Sequence, residues 1–220
     1  MRNRVIALVA PIVLISSCAN GVSGTPAAGP GPSTSASTWL LYQGSPSAEA
    51  DQLAPGEADS PSLVASGTFL PFQPGATAIT YDPAVVPAGA RARVAITKTP
   101  YGMVVRLTAA GLIPRRAYGA HLHTKPCTAV PDEAGPHFQH RHDPSSPSVD
   151  PSYANPRNEV WLDFTADTSG AGTAVSREDW VVTPAAMPRS LVIHAEQTST
   201  AAGMAGKAGP RVACLTLPAE

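Results

Sequence analysis

Residues 90–97 read "ARARVAIT", residues 99–102 read "TPYG" and residues 102–110 read "GMVVRLTAA". In the last run Met103, Val105 and Leu107 fall on one side, with Val104, Arg106 and Thr108 on the other. A period of two is the pattern of a strand with one buried face. Two such runs around a Pro- and Gly-bearing turn predict a β-hairpin. The runs "LIPRRAYGAHLHT", "EVWLDFTAD", "RSLVIHAE" and "RVACLTLP" read as further strands, with loops of Pro, Gly, Ser and Asp between them. No stretch here carries a helical period. With 24 Pro, 18 Gly and only 14% charged residues, the chain is predicted to be all-β, a sandwich or barrel of short strands.

The N-terminal stretch "MRNRVIALVAPIVLISSC" has a basic start, an apolar run too short to span a bilayer and a small-residue exit. That is the pattern of a secretory signal peptide, residues 1–18. Its end resembles a bacterial lipobox with Cys18 as the lipidated residue; the alternative is a plain signal peptide cut elsewhere. Residues 19–62 are rich in Pro, Gly, Ser and Ala and predict a tether, interrupted by the apolar "TWLLYQ". The folded domain is expected over residues 63–220. The expected location is outside the cytoplasm, on the outer face of the cell membrane or secreted, where disulfides persist. With Cys18 assigned to lipid, Cys127 and Cys214 are left as a pair expected to bridge. A net charge of −1 with no basic patch offers nothing to nucleic acid. Nothing in the sequence sets an oligomeric state.

All six histidines lie in three groups. His121 and His123, in "YGAHLHTKPC", share one face of a strand and could grip one metal ion; they could equally be two surface residues. "AGPHFQHRHDP" carries His137, His140, His142 and Asp143 in a loop. His194 stands in the apolar strand "SLVIHAEQ", where a satisfied core histidine is the plainer reading. Ligation by imidazole alone suits copper or zinc.

In four segments, taken in order, the chain resembles the copper–zinc superoxide dismutases over about residues 75–218. "GAHLHT" resembles the strand with two copper ligands and "AGPHF" the segment with the histidine that bridges copper and zinc. "LVIHAE" is similar to the strand with the last copper histidine, and "GKAGPRVACL" to the segment with the active-site arginine and a disulfide cysteine. The resemblance implies an eight-stranded Greek-key β-barrel/sandwich. It implies copper on His121, His123, His137 and His194, Arg211 beside the metal, and a Cys127–Cys214 bridge. The implied activity converts superoxide to dioxygen and hydrogen peroxide, with His137 passing a proton and Arg211 steering the anion without holding the fold. A non-catalytic copper-binding envelope protein on the same fold is the alternative.

The zinc set departs from the family. His140 and His142 come too early, and "ANPRNEVWLDFTAD" has no histidine where one should stand. The segment between His194 and Arg211 is short and lacks the family's acidic pair, as in its copper-only branch. A copper-only site still needs something to orient the bridging ring, since a ligating histidine normally donates its other N–H to a carboxylate or carbonyl; Glu159 is the candidate, Asp163 the second. His140, His142 and Asp143 remain as an unusual zinc site with His137, a copper-loading patch, or a polar loop.

Overall fold

The structure, a computed structural model, describes residues 61–219. The signal-peptide segment with Cys18, and the tether through residue 60 with "TWLLYQ", lie outside the described residues. Nine strands follow: β1 (Leu63–Thr68), β2 (Ala78–Thr80), β3 (Arg91–Thr99), β4 (Gly102–Ala110), β5 (Ala117–His123), β6 (Phe164–Thr165), β7 (Gly172–Glu178), β8 (Ser190–His194) and β9 (Arg211–Thr216). A single 3₁₀ turn, Pro131–Ala134, lies between β5 and β6. One sheet runs β1-β3-β4-β7 and the other β2-β9-β8-β5-β6. The ladders between these strands are all antiparallel. The chain leaves the first sheet after β4, passes through the second, and returns to pair β7 with β4.

The expected all-β barrel or sandwich takes the sandwich form, open rather than closed, with nine strands among the described residues where eight were expected. No ladder joins the two sheets among the described residues. The strands that periodicity missed have physical reasons. β2 has three residues, too few to show alternation, and β1 after Val64 holds only small and polar residues, whereas β6 falls within the expected strand "EVWLDFTAD". β7 inverts the pattern: it buries Gly172, Ser176 and Glu178 and leaves Val175 exposed. Burial raises the pKa of the Glu178 carboxyl, with the Ser176 hydroxyl as its hydrogen-bond donor.

The core sits between the sheets. Met103, Val105 and Leu107 are at most 1% exposed, as their alternation predicts. They pack in one cluster with Val94, Ile96, Leu122, Leu191, Ile193 and Leu215. Each such side chain contributes about 1.5–3 kcal/mol on burial.

The second sheet is covered on its other face as well. On β5, Ala120 and Leu122 enter the core while Gly119, His121 and His123 face away. Opposite them on β8 stand His194, Val192 and Ser190, and directly opposed residues share a face. Over this face Ala134, Val192 and Cys214 form a second apolar cluster with Tyr81 and Cys127. The Cys127–Cys214 disulfide, spanning 87 positions, ties the loop after β5 to β9. A cross-link over so long a loop is worth on the order of 4 kcal/mol. The Ser190 hydroxyl donates to Lys125 O, and the Cys127 amide to Thr216 Oγ1. The three histidines of this face are therefore buried rather than exposed.

Candidate metal centre

His121, His123, His137 and His194 each offer one ring nitrogen, and these atoms all lie within 4.8 Å of one another. β5 supplies the first two and β8 the last. His137 arrives by pairing across from His123 along the edge of β5 that β6 begins, where Phe138 N–H donates to Leu122 O at 2.8 Å. Trp161 pairs with His121 along the same edge, and Gln139 with Glu159. Because positions two apart share a face, His137, Gln139, Glu159 and Trp161 all project to one side.

The hydrogen bonds fix which nitrogen each ring presents. His123 Nδ1–H donates to Gly135 O at 2.9 Å, and His194 Nδ1–H to Gly209 O at 3.2 Å. His137 Nδ1 meets Glu159 Oε2 at 2.8 Å. All three therefore carry the bare lone pair on Nε2, and Nε2 of His194 lies 3.4 Å from that of His123. His121 is reversed. Its Nε2 contacts Thr198 Oγ1 at 2.7 Å, while its Nδ1 is buried with no hydrogen-bond partner. An orphaned buried polar atom costs about 1–3 kcal/mol unless something binds it. Three converging Nε2 atoms and one orphaned Nδ1 fit a metal ion.

The rings of His121, His123 and His194 are held uncharged. Burial, then repulsion from His137, drives the pKa of His121 and of His123 well below the ordinary range. Burial and His137 push His194 down to about 3. A folded pKa below the unfolded one stabilises the protein fully above the unfolded value. That stability is lost as pH falls toward the folded value. The metal-free protein should therefore lose stability as pH falls from about 8 to about 5.5, measured by urea unfolding. A flat profile over that range would show that the three rings are not buried together.

Glu159, 1% exposed, accepts from His137 Nδ1, from Trp161 Nε1 and from Gln139 Nε2, each at 2.8 Å. Asp163 serves the other side of the cluster, with Oδ1 3.8 Å from His121 Nε2 and hydrogen bonds to Thr198. His140, His142 and Asp143 do not join the cluster. The His140 ring stacks on Trp180 at 4.9 Å, and His142 is exposed. Asp143 accepts from Ser145 N–H and Ser148 Oγ within its own loop. No zinc set with His137 is assembled among the described residues.

Arg211 and His137 line one cleft of about 440 Å³. Arg211 Nη1 donates to Pro131 O at 3.0 Å and Asp132 O at 3.3 Å, and Nε lies 3.7 Å from Asp132 Oδ1. The expectation that this side chain holds nothing in the fold is therefore corrected: it clamps the 3₁₀ turn. Among the described residues Nη2 makes no hydrogen bond.

Sequence reasoning missed Thr198, Gln139, Trp161 and the carbonyls of Gly135 and Gly209. The period-two spacing of Glu159 and Trp161 was a usable signal for that pair. Thr198, in the loop "EQTSTAAG", has none.

A family model for copper/zinc superoxide dismutase matches residues 90–216. Among solved structures the chain is similar to the Cu/Zn superoxide dismutase from Brucella abortus, at 20% identity, 72% of this chain and 100% of that one, TM-score 0.47. It is also similar to a double mutant of a SOD-like protein from Bacillus subtilis, at 16% identity, 56% of this chain and 86% of that one, TM-score 0.44. No curated protein matches the chain.

Proposed function

This chain belongs to the copper/zinc superoxide dismutase family, and on that premise we propose that it is an extracytoplasmic superoxide dismutase. In this reading copper is held by His121, His123, His137 and His194, without a zinc site. The observation that carries the proposal is the buried four-histidine cluster with its orphaned His121 Nδ1. An all-imidazole set suits copper. The absence of zinc is supported at His137, where Glu159 takes up the nitrogen that a second ion would need.

Two superoxide anions and two protons give dioxygen and hydrogen peroxide. A bound copper ion would supply the one-electron oxidation of one anion and the one-electron reduction of the other. The chain's own residues do the rest. Arg211 keeps a fixed positive charge at the cleft, since a guanidinium stays protonated. It draws the anion in and holds it. His137, its side chain 16% exposed, is the ring of the four that lines the cleft, so its Nε2 can exchange a proton with water. Glu159 keeps that ring in one tautomer and orientation meanwhile.

The N-terminal pattern supports export, lipid attachment at Cys18 and a tether over residues 19–62 before the domain. The disulfide agrees with an oxidising compartment.

Exposure to equal copper and zinc, followed by metal analysis and a superoxide decay assay, tests the proposal. One copper per chain, no zinc and accelerated decay are expected. Bound copper without faster decay would instead support a copper-binding envelope protein, and a stoichiometric zinc ion would overturn the zinc-free site.

Arg211→Ala should keep its copper but lose more than about tenfold in rate, with a flatter dependence on salt, because the screened attraction is gone. Loss of the clamp on Pro131 and Asp132 should also cost about 1–2 kcal/mol in unfolding experiments. Arg211→Lys should fall between, having charge without the planar fork. An alanine variant with unchanged rate and salt dependence would remove Arg211 from the mechanism.

A further inference from the structure

We propose that Thr198 is a positioning residue that selects the nitrogen with which His121 meets the metal. The inference rests on the copper reading above and deepens it. His121 is fully buried, and its Nε2 lies 2.7 Å from Thr198 Oγ1. A hydroxyl has one proton to give. Asp163 Oδ1 lies 2.7 Å from the same Oγ1, and a carboxylate oxygen there can only accept. The hydroxyl proton therefore points to Asp163. That leaves an oxygen lone pair facing the ring, so His121 Nε2 must be the protonated nitrogen. Nδ1 is then bare, and it is the atom left without a partner inside the cluster. The opposite arrangement would set lone pairs of Thr198 and Asp163 against each other at 2.7 Å.

The relay is anchored at both ends. Asp163 Oδ2 accepts the Thr198 backbone N–H at 2.7 Å, and Oδ1 accepts the Ala120 N–H at 3.3 Å, one residue before His121 on β5. The carboxylate thus pins the loop after β8 to the strand that carries the ligand. Gly119 makes room for this. A Cβ there would come within 2.6 Å of Glu196 O, 2.7 Å of Ala208 Cβ and 3.3 Å of Thr198 Oγ1. Any side chain at position 119 would lift the loop and take the hydroxyl off the ring. The other three histidines need no such device, because each donates Nδ1–H directly to an acceptor.

The test reads the tautomer of His121 by NMR in metal-free protein carrying isotope-labelled histidine, and copper affinity by competition with a chelator. Wild type and Thr198→Ser should show the Nε2–H form. Thr198→Val keeps the shape but removes the acceptor; His121 should then populate both tautomers and copper affinity should fall about tenfold. Asp163→Asn can donate an amide proton to Thr198 and free the hydroxyl to donate to the ring, so it should shift His121 toward Nδ1–H. Should the valine variant fail to fold, the asparagine variant decides. An unchanged Nε2–H form in the folded valine or asparagine variant, or loss of that form in the serine variant, overturns the proposal. The tautomer is read without metal, so this outcome is separate from whether the loaded protein dismutes superoxide.

Discussion

Alanine at His121 or at His194 should abolish copper binding, Cu(II) visible absorbance and superoxide decay together. Each variant leaves three imidazoles around a site built for four, and the missing ring comes from a strand in the middle of the second sheet. His121 and His194 are at most 4% exposed, so no neighbouring surface group can swing in to replace them. Losing only an outer hydrogen-bond partner of a ligand costs about 10–100-fold in metal affinity, and losing the ligand should exceed that range. Chelator competition and a decay assay on the same preparation check the expectation. If either variant keeps both copper and activity, the ligand set is wrong.

The second large effect is expected at Glu159, and it falls on stability as well as activity. Its two oxygens accept three donors, from His137, Trp161 and Gln139. Glu159→Ala strands all three where water has little access, at about 1–3 kcal/mol each before any relaxation. A loss of about 3–5 kcal/mol in denaturant unfolding is the expected outcome. Glu159→Gln keeps the volume but has one oxygen in place of two and turns an amide N–H toward donors. It should fold with a smaller loss, about 2 kcal/mol, and free the His137 ring to change tautomer. Activity should drop at least about tenfold in both variants. A glutamine variant with wild-type rate and unaltered copper spectra would show that the carboxylate does not orient His137.

Much of the architecture is legible in the chain itself. The alternation of Met103, Val105 and Leu107 specified which side of β4 is buried, because side chains alternate along any extended backbone. The same rule put His121 and His123 on one face. β7 escaped it because its inward positions are Gly172, Ala174, Ser176 and Glu178, so that face offers only one small apolar residue as a hydrophobic signal.

In the loop the local pattern misdirects. His140, His142 and Asp143 crowd next to His137 in sequence, yet one ring stacks on Trp180, another is exposed and the carboxylate serves its own turn. The groups that do orient the cluster come from far away along the chain. Glu159 reaches His137 across 22 positions, and Thr198 reaches His121 across 77.

Strand period and the facing of the first two histidines follow from short-range backbone geometry, and a sequence states them directly. The resemblance in four ordered segments extended this to the membership of the cluster. Which nitrogen each ring turns inward is a different kind of fact. It depends on where the acceptors Gly135 O, Gly209 O, Glu159 and Thr198 stand once loops from both sides of the sheet have packed down. A ring with two chemically similar nitrogens carries no local preference strong enough to decide this. The choice is made by hydrogen bonds between residues that only the tertiary fold brings together.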